Sequence, residues 1–223
     1  MRTKWLILLL TVCFCSYAQQ ENKSQMALTS AFGATDHKDF CYQFEISYHY
    51  MGHPFLGIGG GIGFCGILSD HLPAGYSENG IWTSWCLNKE YKYINQLYLR
   101  PSLIFRSPAL TQIKGKYGLH FQAEPGIQLL IPYSSVKIDY IDDEAYINSE
   151  RISSNKGNWC FWNIKSGIFI KNDDFSFGLG YIISNLDVYS NRRTMKIANS
   201  SFSEFFPKSK LVHNAFIYFG VSF

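Results

Sequence analysis

The chain has 223 residues, a formal net charge of +3 and 17 % aromatic residues, with 18 glycines. Its basic residues are scattered and no groove-reading motif is present, which excludes a nucleic-acid partner. The length suits one β domain, and beyond the N-terminus no run of 18 apolar residues predicts a transmembrane helix.

The elements begin with an export signal. Arg2 and Lys4 form a basic start, residues 5–14 an apolar stretch too short to span a bilayer, and Ser16-Tyr17-Ala18 a small-residue cleavage site. Cys13 and Cys15 do not follow the small-residue pattern of lipoprotein signals. We therefore expect residues 1–18 to be a signal peptide and 19–223 a single domain. Alternation with period two predicts strands over 24–33, 39–51, 54–68, 94–106, 117–132, 159–171, 175–188 and 211–223. In the second, Phe40, Tyr42, Phe44, Ile46, Tyr48 and Tyr50 share one face, and Cys41, Gln43, Glu45, Ser47 and His49 the other. The fifth and seventh repeat the pattern.

Period two does not say which face is inside. A soluble barrel turns its apolar face inward; a membrane barrel turns it outward. The connections decide. Those after strands two, four and six (52–53, 107–116, 172–174) are short. Those after strands one, three, five and seven (34–38, 69–93, 133–158, 189–210) are long apart from the brief first one, which is the membrane-barrel rule of extracellular loops and periplasmic turns. Gly57, Gly59, Gly61 and Gly63 lie on one face of strand three, where a narrow interior needs room. The apolar faces carry one charge, Asp187, at an outer strand end. The fold class is therefore all-β: an antiparallel up-and-down transmembrane β-barrel of eight strands, or of ten if the long loops hold a further hairpin. Pro101 and Pro125 cannot donate to a ladder, so each predicts a bulge or a local break.

The last strand ends Ala215-Phe-Ile-Tyr-Phe-Gly-Val-Ser-Phe223, with Phe219, Val221 and Phe223 on its apolar face. It resembles the C-terminal signature of bacterial outer-membrane proteins, and the chain resembles small OmpA/OmpX-like barrels. Arg100-Pro101-Ser102 and Glu124-Pro125-Gly126 resemble outer-membrane barrel domains of Bacteroidota. The resemblance implies outer-membrane residence, contact with outer-membrane lipid and lipopolysaccharide, and recognition of the terminal aromatic by the barrel-assembly machinery. It implies no single activity.

The candidate site is the lumen. Glu45, Arg100, Glu124 and Lys165 face inward near mid-strand. A turn centred near residue 112 sets Arg100 opposite Glu124, and a loop centred at 144–145 sets Glu124 opposite Lys165. Buried charges must be paired, so this ladder predicts a plugged, non-enzymatic barrel with a structural or surface-interaction role. A narrow channel or ligand-binding barrel is the alternative. A lipid A-modifying enzyme is the third, with Ser209 and His213 as its conceivable pair. No cofactor is implied and no metal motif is present: the His49–His53 spacing gathers ligands on a helix, not across a strand end. The loop over 133–158 is acidic and that over 189–210 basic (Arg192, Arg193, Lys196, Lys208, Lys210), either two solvated loops or a surface for lipopolysaccharide or a host partner. Trp82, Trp85, Trp159 and Trp162 read as interfacial anchors. Four mature cysteines remain. If the second hairpin turns about His53, Cys41 faces Cys65 within disulfide range, and Cys86 could reach Cys160. The alternative is four free thiols.

Overall fold

The structure, a computed structural model, describes residues 23–76, 84–113, 116–142, 145–197 and 200–223. The expected signal peptide and Trp82 lie outside them. In chain order the strands are β1 (Ser24–Thr35), β2 (Phe40–His53), β3 (Leu56–Leu68), β4 (Ala74–Gly75), β5 (Ser84–Leu87), β6 (Tyr93–Arg106), β7 (Thr111–Ile113), β8 (Tyr117–Leu130), β9 (Ser134–Asp142), β10 (Ala145–Ser154), β11 (Cys160–Lys171), β12 (Phe175–Ser184), β13 (Lys196–Ile197), β14 (Ser200–Ser201) and β15 (Val212–Ser222). A single helical turn, α1 (Ser190–Arg193), precedes β13.

Eight of these strands, β1, β2, β3, β6, β8, β11, β12 and β15, pair with their neighbours in chain order. β1 pairs with β15, which closes the ring. The long connection between β8 and β11 does contain a hairpin, β9–β10, but it stays out of the wall. It joins β5 and β4 in a separate four-stranded sheet, in the order β10-β9-β5-β4.

Closure leaves each wall strand with one face outside and one in the lumen, and this is why the alternation is so regular. The outward positions carry Met26, Leu28, Ile46, Ile58, Ile62, Leu97, Leu99, Ile168, Leu179 and Ile217, all at least 50 % exposed. No Asp, Glu, Lys or Arg occupies an outward position of the eight strands. Asp187, expected at the outer end of the seventh strand, lies past the end of β12 at Ser184, buried and bound to Arg193. Aromatic residues ring both ends of the wall: Phe32, Phe40, Tyr93, Trp162 and Tyr181 at one, and Tyr48, Tyr50, Phe105, Phe175 and Phe223 at the other.

Inside, the glycines of β3 make room for their neighbours. A Cβ on Gly61 would lie 2.8 Å from the Glu45 carboxyl carbon, and one on Gly63 2.6 Å from the Tyr98 hydroxyl. The two prolines act on a common seam. Pro101 is in register with Gly60 of β3 and Pro125 with Ile164 of β11. Between β6 and β8, pairing holds at Leu99–Leu129, Ser102–Gly126 and Phe105–Ala123 but lapses at Arg100, Pro101, Leu103 and Ile104. There the Arg100 guanidinium donates through Nη2 to the Glu124 carbonyl at 2.9 Å, taking the place of a ladder bond.

Candidate functional site: a charged lumen beneath a packed cap

The four predicted charges meet in the middle of the barrel, all buried. Arg100 Nη1 donates to Glu124 Oε1 at 2.5 Å and lies 3.5 Å from Glu45 Oε1. Lys165 Nζ donates to Glu45 Oε1 at 2.5 Å and to Thr29 Oγ1 at 3.3 Å. Arg100 Nε is held by Asn163 Oδ1 at 2.7 Å, and the Ser102 hydroxyl donates to Glu124 at 2.9 Å. Tyr98 donates to Glu45 Oε2 at 3.0 Å and accepts from Gln43 at 2.5 Å. Two carboxylates thus balance two cations, with hydroxyls and amides taking the remaining capacity.

The arrangement differs in detail from the predicted ladder. Lys165 stands opposite Glu124 in register, yet its ammonium crosses the lumen to Glu45. Arg100 does not stand opposite Glu124. Extrapolating the β6–β8 register puts it level with Gln128, four residues from the predicted partner, and the long side chain reaches back along β8. His49 also belongs to this group. Its Nε2 lies 3.6 Å from Glu124 Oε1, and its Nδ1 lies 3.4 Å from the Tyr218 hydroxyl. Its parity with Glu45 was the only sign of this in the sequence. The other side of the lumen, lined by β1, β11, β12 and β15, is filled by Phe169, Ile182, Phe216 and Tyr218 over Ala27 and Ala31.

Above the charges the lumen turns apolar and runs into a folded cap. Ile67, Ile94, Tyr98, Leu130, Phe161 and Val212 from the wall form one core with Trp85, Leu87, Val136, Ile138, Val188, Tyr189, Met195, Phe202 and Phe206 from the long connections. Trp85 stacks on Phe202 at 5.8 Å and meets Phe205 edge-on at 5.9 Å. Trp85 is therefore a core residue rather than an interfacial anchor, because the hairpin sheet folds over it. Trp159 and Trp162 are exposed.

Charge lies inside and the outer wall is apolar, the inverse of a water-soluble barrel. This is a transmembrane β-barrel. No protein-family model and no curated relative matches the sequence. Among solved structures the barrel is similar to Neisserial surface protein A, at 9 % identity over 90 % of this chain and 96 % of that one, with a TM-score of 0.43. It is also similar to a major outer membrane protein from Thermus thermophilus, at 14 % identity over 90 % and 99 %, with a TM-score of 0.46. The outer membrane enzyme PagL matches at 10 % identity over 88 % and 99 %, with a TM-score of 0.40. These likenesses are of general architecture.

The barrel revises the expected cysteine pairs. All four cysteines are free thiols. The β2–β3 ladder pairs Cys41 with Ile67 and Cys65 with Gln43: the hairpin turns between Pro54 and Phe55 rather than about His53, and after a one-residue irregularity between Tyr50 and His53 the register stands two residues from the expected one. A slip of two preserves the face, so Cys41, Cys65 and Glu45 all stay inward. Cys86 sits in the cap sheet between Ala74 and Asp139, where burial and the Asp139 carboxylate push its thiol up. Cys160 opens β11 at an exposed, outward position.

Ser209 and His213 do not form a pair. The Ser209 hydroxyl donates to Asp36 Oδ1 at 2.9 Å, while His213 packs on the Tyr181 ring at 5.9 Å. Against the effect of partial burial, hydrogen bonds from the Lys210 amide and Ser209 hold the Asp36 carboxyl below its usual range. The basic loop is also less basic at its surface than its composition implies. Arg193 is bound to Asp187, and Arg192 is buried against the Phe206 ring with its Nη2 on the Tyr93 carbonyl. Burial pushes the Arg192 guanidinium down to about 10. Lys196, Lys208 and Lys210 remain exposed. At the other end of the wall, Phe219 stacks on Phe175 at 6.1 Å and Phe223 lies 6.3 Å from Tyr48. Val221 stands between Met26 and Phe175 in the ladder.

Proposed function

We propose that this barrel resides in the bacterial outer membrane, passes no solute through its lumen, and works at the cell surface through its cap, in a structural or surface-interaction role. One observation carries the reading: the cross-section at Glu45, Arg100, Glu124 and Lys165 is occupied by paired side chains, with aromatics filling its other half. The apolar plug above, continuous with the cap, adds a second closure. Partners accordingly meet the cap and the outer rim, where outer-membrane lipid and lipopolysaccharide also lie. Planar-bilayer recording tests the closed lumen. The purified protein is expected to give no steady conductance, and a large stable one would replace this reading with a channel.

The outer-membrane assignment has its own test. We assign Phe219, Val221 and Phe223 as the signal read by the barrel-assembly machinery. Deleting Phe223 is expected to deplete the protein from the outer membrane without blocking its export to the periplasm, measured by fractionation and immunoblotting. Undiminished outer-membrane levels would remove that role from the terminal aromatic.

A further inference from the structure

The outward face of β3 contains two glycines with opposite surroundings. At Gly66, Tyr42 and Asn95 close over the backbone and bond to each other, so that an added Cβ would strike both. At Gly60 an added Cβ would meet nothing within 4 Å. Gly60 stands in register between Tyr48 of β2 and Pro101 of β6. Pro101 is compact. The Tyr48 ring leans the other way, across β1 toward Phe223 at 6.3 Å, with its hydroxyl on Ser24 Oγ at 2.9 Å. The result is a groove of about 660 Å³ in the barrel wall, flanked by Met26, Ile46, Tyr48, Ile62, Leu99 and Pro101.

The surroundings identify the occupant. The floor also includes the lumen-facing residues Ser47, Gly61 and Arg100, but every outward side chain around the groove belongs to the charge-free belt, so the medium over it is hydrocarbon. A void in that wall forfeits dispersion contacts unless a chain enters it. Gly60 is near the start of β3, four residues from the turn that joins it to β2, which places the groove in the leaflet on the short-turn side. We propose that this groove is a lipid site that seats one acyl chain of a glycerophospholipid. The proposal rests on the membrane-spanning reading of the barrel. The chain lies along Ile46, Ile62 and Leu99, over the bare backbone of Gly60, with Pro101 as one wall and the Tyr48–Ser24 pair marking the end toward the membrane surface.

The test uses the full barrel in phosphatidylethanolamine–phosphatidylglycerol vesicles that contain a phospholipid with a photoreactive diazirine midway along one acyl chain. Adducts are mapped by mass spectrometry. Labelling of Ile46, Ile62 and Leu99 is expected to exceed that of Ile168, Leu179 and Ile217 on the opposite wall by about tenfold. Gly60→Leu fills the groove without touching the lumen and is expected to abolish the excess, with labelling of the opposite wall and the unboiled gel mobility unchanged. Even labelling around the belt, or an excess that survives Gly60→Leu, would overturn the site. Crosslinks between two copies through these residues would also overturn it, by giving the groove to a second chain. Absence of adducts on every outward position would instead defeat the membrane-spanning reading itself.

Discussion

Glu124→Gln is expected to lower the unfolding free energy of the barrel by about 3–5 kcal/mol, the usual cost of stranding one member of a buried ion pair. Glu124 is the principal partner of Arg100, taking Nη1 at 2.5 Å. The nearest other carboxylate oxygen, on Glu45, lies 3.5 Å away and already holds Lys165 at 2.5 Å. The neutral amide keeps the shape and one acceptor but leaves two cations facing one carboxylate in a space closed to water. Urea titration in lipid vesicles, followed by tryptophan fluorescence, measures the loss. The double variant Arg100→Met/Glu124→Met removes both charges and is expected to recover much of it, since uncharged residues avoid the desolvation cost. A single variant within about 1 kcal/mol of the parent would mean that the lumen tolerates unpaired charge and that water reaches Arg100.

Trp85→Ala is expected to cost the cap about 3–5 kcal/mol, the range for emptying a large aromatic site in a core. The indole is 1 % exposed, stacked on Phe202, edge-on to Phe205 and seated over Gly75. Its removal leaves a void at the junction of the hairpin sheet and the segment between β12 and β15. The effect should be local. Protease is expected to cut within residues 131–159 and 185–211, while unboiled protein in detergent is expected still to migrate differently from boiled protein on a gel, because the closed ladder of the wall is untouched. Loss of that difference together with the cap would show that cap and wall unfold as one unit.

Much of the barrel was legible because its physics is binary. A wall strand between hydrocarbon and a narrow lumen must alternate, so Phe40 to Tyr50 against Cys41 to His49 declared both faces. Register was less legible, because it depends on turn geometry. A turn at Pro54–Phe55, together with a one-residue irregularity after Tyr50, displaced the β2–β3 pairing by two residues, and the β6–β8 hairpin shifted by four. Both displacements are even, so inward residues stayed inward and the four lumen charges still met, although through reach along the strands and across the lumen rather than through direct opposition. The disulfide expectation had no such tolerance, since it required Cys41 and Cys65 to stand level. The cap was hidden for another reason. Its core comes from the four-residue Ser84–Leu87 and from Ser134–Asp142, where Val136, Ile138 and Tyr140 do alternate with Lys137 and Asp139 but stand in a stretch whose acidic composition reads as a solvated loop. Trp85 therefore looked like an anchor and Arg192 like a surface charge.

The closure of the ring by β1 and β15 constrains when the barrel can form. Gln25 pairs with Ser222, and Thr35 with Val212. These contacts join opposite ends of the described chain, and no shorter-range pairing can substitute for them without leaving two strand edges bare. A ribosome that has made everything up to β12 has made an open sheet, with exposed ladder groups at β1 and β12 and an apolar face that water does not tolerate. Closure of the wall must therefore wait until β15 has been made, so the ring cannot be completed while the earlier strands are still being synthesised.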